Sequence, residues 1–192
     1  MEWDELEAEC SACRKCALGA TRTNNVFGTG SRGAKLMFIG EAPGETEDQT
    51  GQPFVGRAGK LLDKYFEAVG IDRDEVFIAN ILKCRPPQNR DPLPEEEDMC
   101  IEWLRRQVKL IDPPLIVCLG RIAAQRLIKP DFKITGEHGV WFERGRVSMC
   151  AVYHPSYLLR GNIAAKEAML GDMKEIKRRL DAEYAKAQGG SY

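Results

Sequence analysis

Lys35-Leu-Met-Phe-Ile39, then GEAPGETEDQTGQPFVGRAG (Gly40 to Gly59), then Lys60-Leu-Leu-Asp-Lys-Tyr-Phe-Glu-Ala-Val69 is the stretch that decides the fold. The first run reads as a buried strand and the last as an amphipathic helix, so the residues between form a structured loop at the carboxyl end of a strand. That loop holds four carboxylates (Glu41, Glu45, Glu47, Asp48), five glycines, two prolines and Phe54. A phosphate cradle would need a Lys and a Ser or Thr at the helix start, and clustered carboxylates would repel the anion. The loop therefore reads as one that positions water or does acid/base work, against the plainer reading of an acidic surface loop.

The chain of 192 residues is 43% hydrophobic with no long apolar run, which predicts one soluble α/β domain over 1–192. Its start, Met1-Glu-Trp-Asp-Glu, is acidic where a targeting segment would be basic and then apolar, so a cytoplasmic protein is expected. Lys plus Arg (28) nearly cancels Asp plus Glu (29), and a polyanionic partner would have to be held by local basic patches.

Seven cysteines exceed what packing needs, and disulfides are disfavoured in a reducing compartment. Cys10, Cys13 and Cys16 form a CxxCxxC run, with Cys84 and Cys100 far downstream. Thiolates from Cys13, Cys16, Cys84 and Cys100 would close a site for zinc or an iron-sulfur cluster, joining the N-terminal segment 10–16 to the middle of the chain. Cys10 competes with Cys13. Cys118 and Cys150 lie in apolar runs and read as core thiols. Gly28-Thr-Gly-Ser-Arg-Gly33 matches GxGxxG but precedes the first strand, so it reads as a turn.

Glu75-Val-Phe-Ile-Ala-Asn80 reads as a second strand, with Asn80 at the carboxyl end where open α/β sheets place ligands. Lys83, Arg85 and Arg90 follow on a proline-rich loop, a plausible phosphate-contacting edge. After a helix opened by Pro94-Glu-Glu-Glu, with Cys100 on its inner face, Leu115 to Leu119 and Val147 to Val152 read as two further strands. Lys133 to Arg146 reads as a hairpin or irregular excursion in which His138 has a structural role. The last strand runs into Tyr153-His-Pro-Ser-Tyr-Leu-Leu-Arg160. Here His154 is placed to donate to a developing anion, and Ser156 and Arg160 to take a phosphate. Tyr157, Leu158 and Leu159 suggest an apolar wedge for stacked bases, or else the start of a core-packed helix. A charged helix from Asn162 to Gln188, ended by Gly189 and Gly190, turns Ile163, Met169, Met173, Ile176 and Leu180 inward.

Taken together, Gly40-Glu-Ala-Pro-Gly44 with Glu47-Asp48, Gly51-x-Pro-Phe-Val-Gly56-x-Ala-Gly59, Asn80 before Lys83-Cys-Arg-Pro-Pro87, His154-Pro-Ser-Tyr-Leu-Leu-Arg160 and the four-cysteine spacing resemble the family 4 uracil-DNA glycosylases. The resemblance runs from Cys13 to Arg160. It implies a three-layer α/β/α sandwich, one 4Fe-4S cluster on Cys13, Cys16, Cys84 and Cys100, and hydrolytic removal of uracil from DNA. With the strands read above, a central, mostly parallel four-stranded sheet is expected, in a monomer whose partner is uracil-containing DNA, single or double stranded.

On that footing Phe54 would stack on the flipped base and Asn80 would read its polar edge, rejecting cytosine by roughly 10⁴ or more through groups left unpaired. The resemblance makes Glu47 the wall against the thymine methyl. His154 would stabilise charge at uracil O2, and Glu41, with the Ala42 backbone, would position water. Glu47 and Asp48 remain competitors for that task. Ser156, Leu158, Arg160, Lys83 and Arg85 are expected to contact DNA. A same-fold binding protein that does not cleave, or that traps the sugar covalently, is the alternative.

Overall fold

The computed structural model describes residues 2–189, and in it every expected strand forms. The strands are β1 (Thr29–Gly30), β2 (Leu36–Gly40), β3 (Phe77–Asn80), β4 (Leu115–Leu119), β5 (Phe142–Arg144) and β6 (Val147–Val152). The helices are α1 (Glu2–Ser11), α2 (Leu18–Thr21), α3 (Glu45–Thr50), α4 (Arg57–Val69), α5 (Pro94–Ile111), α6 (Arg121–Leu127), α7 (Ile134–Glu137), α8 (Pro155–Leu158) and α9 (Ile163–Gly189). One sheet has the order β1-β3-β2-β4-β6-β5, with β3, β2, β4 and β6 parallel and the edges β1 and β5 antiparallel.

Strands covered on both faces need apolar residues at every position, and β2 and β4 are buried throughout. Alternate side chains feed two cores. Leu36, Phe38, Val117, Leu119 and Val152 meet α4, α8 and α9 on one face, while Met37, Ile39, Cys118 and Ala151 meet α5 and α6 on the other. A smaller third cluster, with Leu6, Leu18, Phe27, Leu82 and Trp103, gathers around Cys10, Cys84 and Cys100. The chain leaves β2 for β3 on one side and later enters β4 on the other. The sheet order therefore reverses at β2, and the carboxyl end of such a switch point opens a crevice.

The expected four strands are the parallel centre of a six-stranded sheet. The two additions were hard to read because each is only two or three residues long. Gly28 to Gly33 is thus not only a turn: Thr29 and Gly30 pair with Ile78 and Phe77. Lys133 to Arg146 supplies α7 and β5, and β5 forms a hairpin with β6. Ile163 is 71% exposed and not inward-facing, whereas Met169, Met173, Ile176 and Leu180 are buried as expected. Gly190 lies outside the described residues. His138 is held structurally, its Nδ1 lying 2.7 Å from Asp172 Oδ2 and its ring tilted over Tyr153.

Candidate active site

The carboxyl ends of the parallel strands open into a cleft of about 740 Å³. Glu41 follows β2, Asn80 ends β3, Gly120 follows β4 and His154 follows β6, and all four line it with Ala42, Glu47 and Phe54. Backbone must pass close to these groups. A Cβ on Gly40 would come 2.5 Å from Asn80 Oδ1 and 2.6 Å from the tip of the Phe54 ring, and one on Gly120 would come 2.8 Å from His154 Cβ. Phe54 sits at φ 51, a left-handed conformation costly for an aromatic residue, and its ring stands 5.8 Å from the His154 ring. Asn80 is buried, and its Oδ1 has no hydrogen-bond partner among the described residues. An acceptor left so costs about 1–3 kcal/mol unless a ligand supplies the donor.

The structure separates the three candidate carboxylates by what they already hold. Glu47 Oε1 accepts from the backbone N–H of Val55 (3.0 Å) and Gly56 (2.7 Å), clamping the loop shut. Buried Asp48 accepts from Thr23 N (2.9 Å) and Asn24 N (3.3 Å), tying the N-terminal segment to α3. The Glu41 carboxylate makes no hydrogen bond among the described residues and lines the cleft, while its backbone carbonyl accepts from Leu82 N at 3.0 Å. Burial, aided by the charges of Asp91 and Glu97 and opposed by Arg121, pushes its carboxyl up to about 7.

His154 is set by its own turn. Its Nδ1 accepts from Ser156 N at 3.1 Å and lies 2.7 Å from Ser156 Oγ. Burial pushes its pKa down to about 4, against the pull of Glu47, so at neutral pH the ring is uncharged. A neutral ring with Nδ1 accepting carries its proton on Nε2, the atom free to donate. Ser156 thus orients His154 through its backbone N–H, and its hydroxyl lies beside the same nitrogen while the residue lines the cleft.

With this geometry in place, comparison with known proteins is informative. The family model described as Uracil DNA glycosylase superfamily matches residues 27–175. A protein of Archaeoglobus fulgidus named type-4 uracil-DNA glycosylase is 47% identical over 164 residues, which is 81% of this chain and 82% of that one. Proteins of the same name from Sulfurisphaera tokodaii and Thermotoga maritima are each 40% identical, over 91% and 89% of this chain and 83% and 91% of their own. The chain belongs to the type-4 uracil-DNA glycosylases.

Four of the seven cysteines of this type-4 chain gather at a second pocket. Cys13, Cys16, Cys84 and Cys100 line one pocket, whereas Cys10 turns away, its Sγ toward Asn25 Oδ1 at 3.6 Å. Burial pushes the Cys10 thiol up to about 11 and the Cys100 thiol up to about 12. Cys118 and Cys150 are core thiols. Among the described residues no three His, Cys, Asp or Glu side chains are drawn together tightly enough to clasp a single ion. The donor chemistry of the pocket nevertheless fits a thiolate-bound group. Arg22 Nη1 donates to Cys84 Sγ at 3.1 Å, and the Lys83 backbone N–H donates to Cys100 Sγ at 3.3 Å, contacts that would favour sulfur bearing negative charge once a bound group deprotonated it.

Two residues expected at DNA are instead in the core. Lys83 is 1% exposed, and its ammonium donates to Phe27 O (3.2 Å), Asn80 O (2.9 Å) and Gln107 Oε1 (2.7 Å), using all three of its protons inside the protein. Leu158 is fully buried against the α4 and α9 core, so it is not a wedge. The exposed apolar residue of that turn is Leu159, which lines the cleft with Arg160. Tyr157 is exposed but stacks on Tyr153 at 5.5 Å. Arg85 is half-buried with its Nε on Asn89 Oδ1 and does not line the cleft, and Arg90 is forked onto Glu96. Arg57 and Arg121 do line it. The sequence reading gave neither a role, although Arg57 opens α4 and Arg121 opens α6 just past the carboxyl end of β4.

Among the described residues no helix is long and apolar enough to cross a membrane.

Proposed function

We propose that the protein removes uracil from DNA by hydrolysing its N-glycosidic bond, leaving an abasic site. The observation that carries this reading is the buried, partnerless Oδ1 of Asn80 beside the Phe54 ring. It fits a flat base stacked on Phe54 whose N3–H donates to Oδ1 and whose O4 accepts from the amide. Cytosine presents the reverse pattern at both atoms, which leaves a buried amide unpaired. Glu47, pinned by two backbone amides, stands as a rigid wall against a C5 methyl.

The base reaches this cleft only after leaving the helix stack. Leu159 is placed to fill the gap, and Arg57, Arg121 and Arg160 around the rim to meet the phosphates, with Arg85 further along the strand. As the C1′–N1 bond breaks, its electron pair leaves with the base. His154 Nε2–H then holds the charge at uracil O2 without itself becoming an imidazolium. Glu41 holds water against C1′, its charge offsets the cationic sugar, and it accepts the water's proton as the new C1′–O bond forms. The Ala42 backbone supports that water.

Cys13, Cys16, Cys84 and Cys100 would hold a 4Fe-4S cluster, and a thiolate-bound group there supplies a cross-link between the N-terminal segment, the loop after β3 and α5. Lys83 gives that cross-link a direct path to Asn80, through its own backbone N–H on Cys100 and its ammonium on the Asn80 carbonyl. A monomer acting in the cytoplasm suits this reading. The test is incubation with oligonucleotides carrying a single uracil, thymine or cytosine, in single and double strands, followed by alkali. Cleavage at uracil alone is expected, and no strand break at uracil refutes the proposal. Retention of uracil DNA without a break would favour a binding protein, and a colourless, iron-free protein would favour zinc.

A further inference from the structure

Two buried side-chain polar atoms lack a partner among the described residues, Asn80 Oδ1 and Trp103 Nε1. The flipped base accounts for the first. The second lies elsewhere. Trp103 sits on α5 one turn beyond Cys100, is 4% exposed, and lines the same pocket as Cys13, Cys16, Cys84 and Cys100. An indole N–H can only donate, and buried without an acceptor it is a standing cost that a phenylalanine of similar shape would not carry.

The ring is also held and polarised. The Lys15 ammonium stands 4.7 Å from its centroid and the Arg106 guanidinium 5.6 Å. Lys15 lies between Cys13 and Cys16, so the ring is tied to the cysteine segment, while Arg106 is fixed by Glu9 of α1 at 2.6 Å. Cations at the π face draw electron density from the indole and sharpen its N–H as a donor. Two sulfurs of the pocket already receive N–H donors, Cys84 from Arg22 and Cys100 from Lys83.

We propose that Trp103 Nε1–H is a third such donor, directed at a sulfur of the iron-sulfur group held by the four cysteines. This rests on reading that pocket as an iron-sulfur site. A donor to sulfur favours the reduced, more negative state and so raises the reduction potential, and it anchors the group against loss.

The test uses the full chain isolated with iron, unaltered and as Trp103→Phe, which keeps an aromatic ring and removes the N–H. The variant is expected to bind iron, to show a more negative potential, and to lose its visible absorption to a chelator about fivefold faster, the equivalent of one net hydrogen bond. Lys15→Met should shift the potential in the same direction by less. Equal potentials and equal bleaching rates in Trp103→Phe and the unaltered protein would overturn the inference. If Trp103→Phe does not accumulate, the unaltered protein decides. With ¹⁵N-indole tryptophan, double resonance on the reduced protein should show hyperfine coupling to one indole nitrogen, and its absence overturns the inference. An unaltered protein free of iron would instead sink the reading of the pocket itself.

Discussion

Glu41 provides the sharpest quantitative test, because its carboxyl is pushed up to about 7 by burial and by Asp91 and Glu97, with Arg121 opposing. If the ionised form positions the water, single-turnover excision must follow the ionised fraction. Between pH 5 and 7 that fraction rises from about 0.01 to about 0.5, so the rate should climb roughly fifty-fold, then gain only about twofold more up to pH 9. His154, neutral above about 4, contributes no limb in this range. The neighbours move the limb in opposite directions. Arg121→Gln removes the opposing positive charge and should shift the limb to higher pH, whereas Asp91→Asn removes a repelling charge and should shift it lower. The assay is quenched-flow excision on a uracil oligonucleotide at saturating enzyme, with DNA affinity checked at each pH. A flat profile from pH 5 to 7, or a limb that ignores both substitutions, would refute the assignment of Glu41 as the ionised group.

The same shift has a stability consequence of opposite sign. A carboxyl raised from 4.5 to about 7 on folding binds its proton more tightly in the native state, so it stabilises below about 4.5 and that stabilisation is lost as pH rises through 7. Glu41→Gln should therefore raise the unfolding free energy at pH 8 by on the order of 3 kcal/mol, with a higher melting temperature there but little change at pH 4.5, and with activity lost. Replacing His154 with Ala should lower the single-turnover rate by about 10² to 10³ with little change in DNA affinity, the loss of one preorganised donor. Leu158→Ala should destabilise the fold by about 2–5 kcal/mol in a denaturant titration, while Leu159→Ala should leave stability within about 0.5 kcal/mol and weaken excision from duplex more than from single strands. Serine at Cys84 should remove visible absorption and stability together, and an unchanged spectrum would exclude Cys84 as a ligand.

The fold was legible because its signals are local and periodic. Leu36 to Ile39 and Leu115 to Leu119 are apolar at every position, which only strands buried on both faces tolerate, and the helices between them imply parallel pairing. The strand ends then located Glu41, Asn80 and His154 without coordinates. Thr29–Gly30 and Phe142–Arg144 escaped because two or three residues carry no period.

What sequence could not decide was the direction and company of individual side chains. Lys83 and Arg85 are near neighbours on one basic loop, yet one ammonium is enclosed by three oxygens contributed by residues 27, 80 and 107, while the other cation stays at the surface. Leu158 and Leu159 are chemically identical, and the short helix α8 turns one into the core and the other into the cleft. Glu41, Glu47 and Asp48 are equivalent carboxylates in the sequence. Only the folded chain gives Glu47 and Asp48 backbone amides to hold and leaves Glu41 free and desolvated. The sequence by itself determined which residue types line the crevice, since strand ends and motif order are properties of the chain. The tertiary structure decided which of them are free to act, because burial and hydrogen-bond partners come from residues distant in sequence.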